Sequence, residues 1–208
     1  MSLFIKICGI TNAKDASLAM AFGANALGFN MYEKSSRYVS QQEVKEILKE
    51  LSDEIIPVMV FVDPSYEYVE DCLKLSTKII PQFHGSETPE FCSSFNRNFI
   101  KAIPVYKEED INNGFKKYED SWMILLDSYT QEGFGGTGKQ FDWTYLRGKD
   151  YGKQYLVAGG LNPTNVAEVL SLTSCTGLDV SSGVESSPGK KDSMKIKEFI
   201  DVARNFHV

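Results

Sequence analysis

Phe4-Ile5-Lys6-Ile7-Cys8-Gly9-Ile10-Thr11-Asn12 sets the pattern for the whole chain. A short apolar, β-branched run carries one lysine and stops abruptly in a thiol, a glycine and a residue suited to capping a helix. Residues 4–7 therefore read as a strand. Thr11 or Asn12 can cap the helix that follows, Asp15 falls in its first turn and Gly23 ends it. One strand feeding one helix is the unit of parallel α/β folds, and the number of repeats separates one such fold from another.

The unit repeats to the end of the chain. Further strands are predicted at 26–29, 55–62, 79–83, 99–105, 122–126, 155–158 and 177–180, and Pro81 weakens the fourth. Between them lie helical stripes. Val44, Ile47, Leu48 and Leu51 fall at i, i+3, i+4 and i+7, as do Ile196, Phe199, Ile200 and Ala203. Weaker helices are predicted at 88–95, 108–118 and 141–146, and others around Val69–Leu73 and Val166–Leu170. Eight strands alternating with eight helices predict a closed (β/α)8 TIM barrel, an α/β fold that 208 residues can just build. The rival open, doubly wound sheet commonly uses five or six strands. No compositional break marks a linker, so one domain over residues 1–208 is expected.

Composition narrows the function classes. The chain has ordinary globular proportions, 42% hydrophobic and 24% charged, so it has material for one core. A net charge of −6 and a pI near 5.1 disfavour a nucleic-acid or anionic-membrane surface. No apolar run approaches the ~20 residues of a membrane span, and no signal peptide is visible. The four cysteines are scattered, with no C-x-x-C pair, and there are only two histidines, so zinc-site spacing is absent and no metal is expected. Reduced thiols fit a cytoplasmic setting.

In a barrel of this kind chemistry gathers on the loops at the C-terminal ends of the strands. Those positions hold Cys8, Arg37, Asp63, Gln82 and His84, Asp127, Gly159-Gly160, and Asp179 with Ser181-Ser182-Gly183. The glycine-containing loops after strands seven and eight stand where such barrels commonly bind phosphate through backbone N–H groups. Either loop alone would read as an ordinary tight turn; the two together favour a phosphate site at Gly159, Gly160, Ser181, Ser182 and Gly183. Cys8 and Asp127 sit across the mouth from one another, a plausible base and acid. Taken singly, Cys8 is equally a buried packing cysteine and Asp127 a loop cap. Cys72, Cys92 and Cys175 lie on or beside helices and read as packing residues. Gly133–Lys139 resembles a nucleotide-binding loop, but the glycines start too far from the strand and Gln140 replaces the required Ser or Thr; a mobile lid fits better. His207 is expected to be solvated.

These residues carry a resemblance. Lys6-Ile7-Cys8-Gly9-Ile10-Thr11, Ser36-Arg37-Tyr38, Gln82-Phe83-His84-Gly85, Leu126-Asp127-Ser128, Ala158-Gly159-Gly160-Leu161 and Ser181-Ser182-Gly183-Val184-Glu185 resemble the phosphoribosylanthranilate isomerase family, in order along the chain. The resemblance implies an Amadori rearrangement in tryptophan biosynthesis with no cofactor. It makes Asp127 the general acid and Cys8 the general base, and gives Arg37 the anthranilate carboxylate. Asp179 and His84 become substrate contacts, with a structural role for His84 equally open. The implied partner is a small phosphosugar, with no nucleic acid or membrane, for a monomer or homodimer. A non-catalytic phosphosugar-binding barrel and another phosphosugar isomerase are the alternatives. The family's loop after strand two is richer in proline; Glu33 and Ser36 stand at two such positions, which predicts a mobile Arg37 in the empty protein.

One expectation comes from strand geometry. Side chains alternate along a strand, so Lys6 shares the inward face with Cys8 and needs a partner there. Asp179, near the end of neighbouring strand eight, is the predicted partner, and Lys6 is expected to help lower the Cys8 pKa.

Overall fold

Eight parallel strands close on themselves in sequence order, β1 (Phe4–Cys8), β2 (Ala26–Asn30), β3 (Ile56–Phe61), β4 (Ile80–Phe83), β5 (Ile100–Val105), β6 (Met123–Ser128), β7 (Tyr155–Val157) and β8 (Gly177–Val180). The computed structural model describes residues 3–128 and 140–206. The predicted lid at 133–139 and His207 lie outside them, as does the 135–138 glycine run. β8 pairs with β1, Lys6 standing opposite Asp179, and this last ladder closes the barrel. The (β/α)8 prediction therefore holds, Pro81 included: β4 forms as a short strand in register with β3.

Among the described residues, seven α-helices wrap the sheet: α1 (Ala13–Ala21), α2 (Gln41–Leu48), α3 (Tyr66–Leu73), α4 (Pro89–Ser93), α5 (Glu108–Lys117), α6 (Val166–Leu172) and α7 (Ser193–Phe206). Local sequence explains where they start. The Asn12 side chain accepts the Asp15 N–H at 2.9 Å and caps α1. Ser40 and Glu43 form a reciprocal capping box on α2, and Thr88 followed by Pro89 opens α4. Thr11 is not the cap: its hydroxyl donates to the Gly189 carbonyl at 2.6 Å and ties the first loop to the last.

The sixth unit departs from expectation. Its helix is a single 3-10 turn, Trp143–Leu146. Phe141, Trp143 and Leu146 are all buried, but their spacing of two and three does not make an α-helical stripe. After β8 comes a further 3-10 turn, Ser182–Val184, and then an unpredicted hairpin of β9 (Glu185–Ser187) and β10 (Lys190–Lys191).

Alternation sorts the side chains into two cores. Ala26, Val58, Ile100, Ala102, Met123, Leu125, Leu156 and Ala158 fill the barrel interior, with Phe4, Ile56, Ile80 and Trp122 packed against them. The larger core lies between sheet and helices and includes Ile5, Ile7, Leu27, Phe29, Phe61, Phe83 and Phe199. β1 obeys the same alternation: Ile5 and Ile7 face the helices, while Phe4, Lys6 and Cys8 face inward. No helix among the described residues is long and apolar enough to cross a membrane.

Candidate active site

A cavity of about 390 Å³ opens at the C-terminal ends of the strands. It brings together Cys8, Arg37, His84, Asp127, Gly159, Gly160, Asp179, Ser181 and Ser182, residues from six of the eight strand ends. Gly183, predicted to bind phosphate, is not in the lining. A Cβ there would collide with the Leu161 carbonyl, so its lack of a side chain lets the loops after β7 and β8 pack together. The seventh-strand loop depends on Gly159, whose φ of +80° is in the left-handed region and whose Cα lies hard against Ser128.

Cys8 ends β1 half-buried, beside the inward Lys6. Gly28 on β2 makes room for it: a Cβ there would stand 2.7 Å from the Cys8 sulfur and 3.1 Å from the Lys6 ammonium. Lys6 is fully buried and bonds Asp179 at 2.8 Å, as strand geometry predicts. Burial opposes its charge, but Asp179 and Cys8 outweigh this and raise its pKa. For the thiol, Lys6 acts in the expected direction, but the net shift is opposite. Burial pushes the Cys8 pKa up; Lys6 and Lys191 pull it down, Asp179 adds to the rise, and the net shift is upward. Lys6 limits the rise instead of producing a depressed thiol.

Asp127 ends β6 and is held at both oxygens. Oδ1 accepts the Ser128 N–H at 2.8 Å, and Oδ2 lies 3.0 Å from His84 Nε2. His84 Nδ1 lies 3.1 Å from the buried Gln82 side-chain amide. His84 thus bridges the Gln82 amide and the Asp127 carboxyl through its two ring nitrogens. His84 holds the Asp127 carboxyl from within the cavity lining, so it has the structural bond that the sequence allowed and also faces the space a substrate would fill.

Arg37 arrives on the loop after β2 and crosses over Gly9, where a Cβ would stand 2.6 Å from the arginine Cδ. Its Nε and Nη2 each donate to Glu185 at 2.8 Å. These two bonds tie the loop after β2 to the β9–β10 hairpin. Glu185 also accepts from the Lys191 ammonium at 2.8 Å, and Lys191 donates to the Ser181 carbonyl. Burial opposes the Glu185 charge, but Arg37 and Lys191 outweigh it and hold its pKa below the usual carboxylate range. Sequence reasoning gave Glu185 and Lys191 no role. The acidic residue four positions after Ser181 was the available signal, but only the β9–β10 hairpin shows where it points.

Cys72, Cys92 and Cys175 are buried free thiols remote from the cavity lining. Asp63 and Glu87 hold loops: Asp63 accepts the Ser86 N–H, and Glu87 accepts the Asp63 and Gly85 N–H groups.

Barrel and mouth together define the class: a (β/α)8 barrel whose thiol and carboxyl face one cavity beside two glycine-containing loops. Comparison with known proteins narrows the class. The family model of N-(5′-phosphoribosyl)anthranilate (PRA) isomerase matches residues 5–202. An N-(5′-phosphoribosyl)anthranilate isomerase of Neisseria meningitidis serogroup C is 43% identical over 199 residues, covering 95% of each chain. The crystal structure of phosphoribosyl anthranilate isomerase from Thermotoga maritima superposes with a TM-score of 0.90 at 39% identity, covering 98% of this chain and 99% of that one. A further structure of such an isomerase, in complex with reduced 1-(o-carboxyphenylamino)-1-deoxyribulose 5-phosphate, gives a TM-score of 0.83 at 35% identity, with 98% and 99% covered. The chain belongs to the N-(5′-phosphoribosyl)anthranilate isomerase family. It is an enzyme, an isomerase.

Proposed function

We propose that this chain converts N-(5′-phosphoribosyl)anthranilate to 1-(2-carboxyphenylamino)-1-deoxyribulose 5-phosphate, the Amadori rearrangement of tryptophan biosynthesis, with Asp127 as acid and Cys8 as base. Protonated Asp127 gives its proton to the furanose ring oxygen; the C1–O bond breaks and the nitrogen lone pair forms the iminium. The Cys8 thiolate then takes the proton from C2, now acidified by the iminium, and the electron pair returns to nitrogen as an enolamine. Tautomerisation of the enolamine yields the ketone. A thiol with a raised pKa is a stronger base when ionised and a less abundant one, so Lys6 matters by keeping the thiolate accessible.

The observation that carries this reading is the convergence of Cys8 and Asp127 on one cavity, each with its own supporting group, Lys6 and His84. The 5-phosphate is assigned to the backbone of Gly160 and Ser182 and the hydroxyls of Ser181 and Ser182, with Gly159 and Gly183 shaping the loops. Arg37 is assigned to the substrate carboxylate; with Nε and one Nη2 proton given to Glu185, its Nη1–Nη2 edge remains for a two-pronged bond. Asp179 is assigned both to Lys6 and to the sugar end of the cavity. No metal or cofactor is required by these steps. We read residues 1–208 as one cytoplasmic domain; every group named comes from one chain, so either a monomer or a homodimer can carry the site.

The test is direct. Purified protein is mixed with freshly made N-(5′-phosphoribosyl)anthranilate and the loss of substrate fluorescence is followed. Wild type turns over, and Cys8→Ala and Asp127→Asn each lose about 10²–10⁴-fold in kcat. Activity that survives in both variants sinks the assignment.

A further inference from the structure

Arg37, Glu185 and Lys191 form a charged group at the edge of the cavity that the reaction steps do not use. The Lys191 side chain is 0% exposed, Glu185 4% and Arg37 15%, so charge enters solvent only at the arginine. Glu185 Oε1 accepts from both Arg37 Nε and Lys191 Nζ, and Oε2 accepts from Arg37 Nη2. Arg37 Nη1 makes no hydrogen bond among the described residues. The geometry poses a question of charge. An arginine already paired with a carboxylate is neutral as a pair and a poor receptor for a second carboxylate. Lys191 restores the balance: two cations around one anion leave the group at net +1. The Lys6–Asp179 pair beside it is self-compensated and adds nothing to that sum.

We propose that Glu185 and Lys191 together make Arg37 a preset carboxylate receptor. Glu185 fixes the guanidinium plane so that its Nη1–Nη2 edge faces the cavity. Lys191, from behind, cancels the Glu185 charge so that the edge still attracts an anion. Neither residue touches substrate, and both are positioning residues acting through Arg37. A buried carboxylate alone would hold the arginine in place and blunt its affinity; a bare arginine would be cationic and loose, at an entropic cost when a ligand arrives. The arrangement rests on the assignment of Arg37 to the carboxylate end of the substrate. It predicts that Lys191 governs discrimination between ligands with and without that carboxylate.

The experiment is calorimetric titration of the intact protein with two probes, reduced 1-(o-carboxyphenylamino)-1-deoxyribulose 5-phosphate and its phenylamino counterpart lacking the carboxylate. Lys191→Met is expected to weaken the first by about 10-fold or more and the second by no more than about 3-fold. In steady state the same variant raises KM much more than it lowers kcat. The double variant Lys191→Met with Glu185→Gln, which returns the group to net +1, is expected to regain at least about 3-fold of the lost affinity for the carboxylated probe. Lys191→Gln is read in the same way if the methionine variant is poorly folded. Equal losses for both probes would place Lys191 at the phosphate, through Ser181, and overturn the proposal. A double variant no better than Lys191→Met would overturn the charge argument. Wild type that binds neither probe overturns the functional reading as well, whereas wild-type turnover with an unchanged Lys191→Met overturns this inference alone.

Discussion

Lys6 and Lys101 are both buried lysines on barrel strands, and they do opposite things. Lys101 points out of the barrel, into the layer under the helices. Its ammonium is saturated: it donates to the Phe83 carbonyl at 3.1 Å, the Gly85 carbonyl at 2.7 Å and the Glu87 carboxylate at 2.9 Å. Lys6 points into the barrel and has one hydrogen-bonded carboxylate, Asp179; the rest of its charge is felt by Cys8. A buried cation with every donor committed is scaffold, because no charge is left to act on anything else. A buried cation left incomplete beside a cavity tunes the group next to it.

Variants can break or sharpen that contrast. Of the two lysine variants, Lys6→Met should have the larger effect on activity. Removing the cation lets the thiol pKa rise further, so the rising limb of kcat/KM against pH, where the thiolate forms, moves to higher pH. At neutral pH, kcat/KM falls about 10-fold for every pH unit that the limb moves. An unchanged pH–rate profile would remove the electrostatic role. Lys101→Met should act on stability instead. It leaves Glu87 buried without its cation and is expected to cost about 3–5 kcal/mol in chemical denaturation, while folded enzyme keeps kcat within about 3-fold. A Lys101 variant that is stable and inactive would erase the distinction between the two lysines.

His84→Leu tests whether orientation of the acid is a separate contribution. It should lower kcat about 10-fold with little change in KM, since the Asp127 carboxyl loses its fixed partner at Oδ2. A rise in KM alone would make His84 a substrate contact. The smallest effect is expected far from the mouth: Asn12→Ala removes the α1 cap and should cost about 1 kcal/mol of stability, measured by thermal unfolding, with kinetics unchanged.

What the sequence displays and what it hides divides along the same line as the two lysines. The barrel was readable because each strand and helix advertises itself locally, and Cys8, Asp127 and Asp179 followed from counting to the strand ends. The Lys6–Asp179 pair was readable because alternation and the closure of β8 on β1 place both residues without any knowledge of loops. Partners lying in loops were not. Lys101 meets Glu87 only because the loop after β4 folds over the outside of β5, and Arg37 meets Glu185 only because the β9–β10 hairpin returns across the mouth. Neither contact has a periodicity to announce it. The sixth helix failed for the converse reason, a buried segment without an α-helical spacing. The upward shift of the Cys8 pKa was hidden too, because burial of the thiol is a sum over neighbours and the strand pattern names only two of them.

The measurement that bears most directly on the central claim is the alkylation rate of Cys8 by iodoacetamide as a function of pH, read by peptide mapping alongside kcat/KM in the same buffers. Cys72, Cys92 and Cys175 are buried and serve as slow internal references. If Cys8 is the base and Lys6 tunes it, the two profiles rise with a common midpoint above the ordinary thiol value of ~8.5, and Lys6→Met moves both upward together. Profiles whose midpoints differ by more than about one pH unit, or a Lys6→Met variant that moves one without the other, would contradict the account.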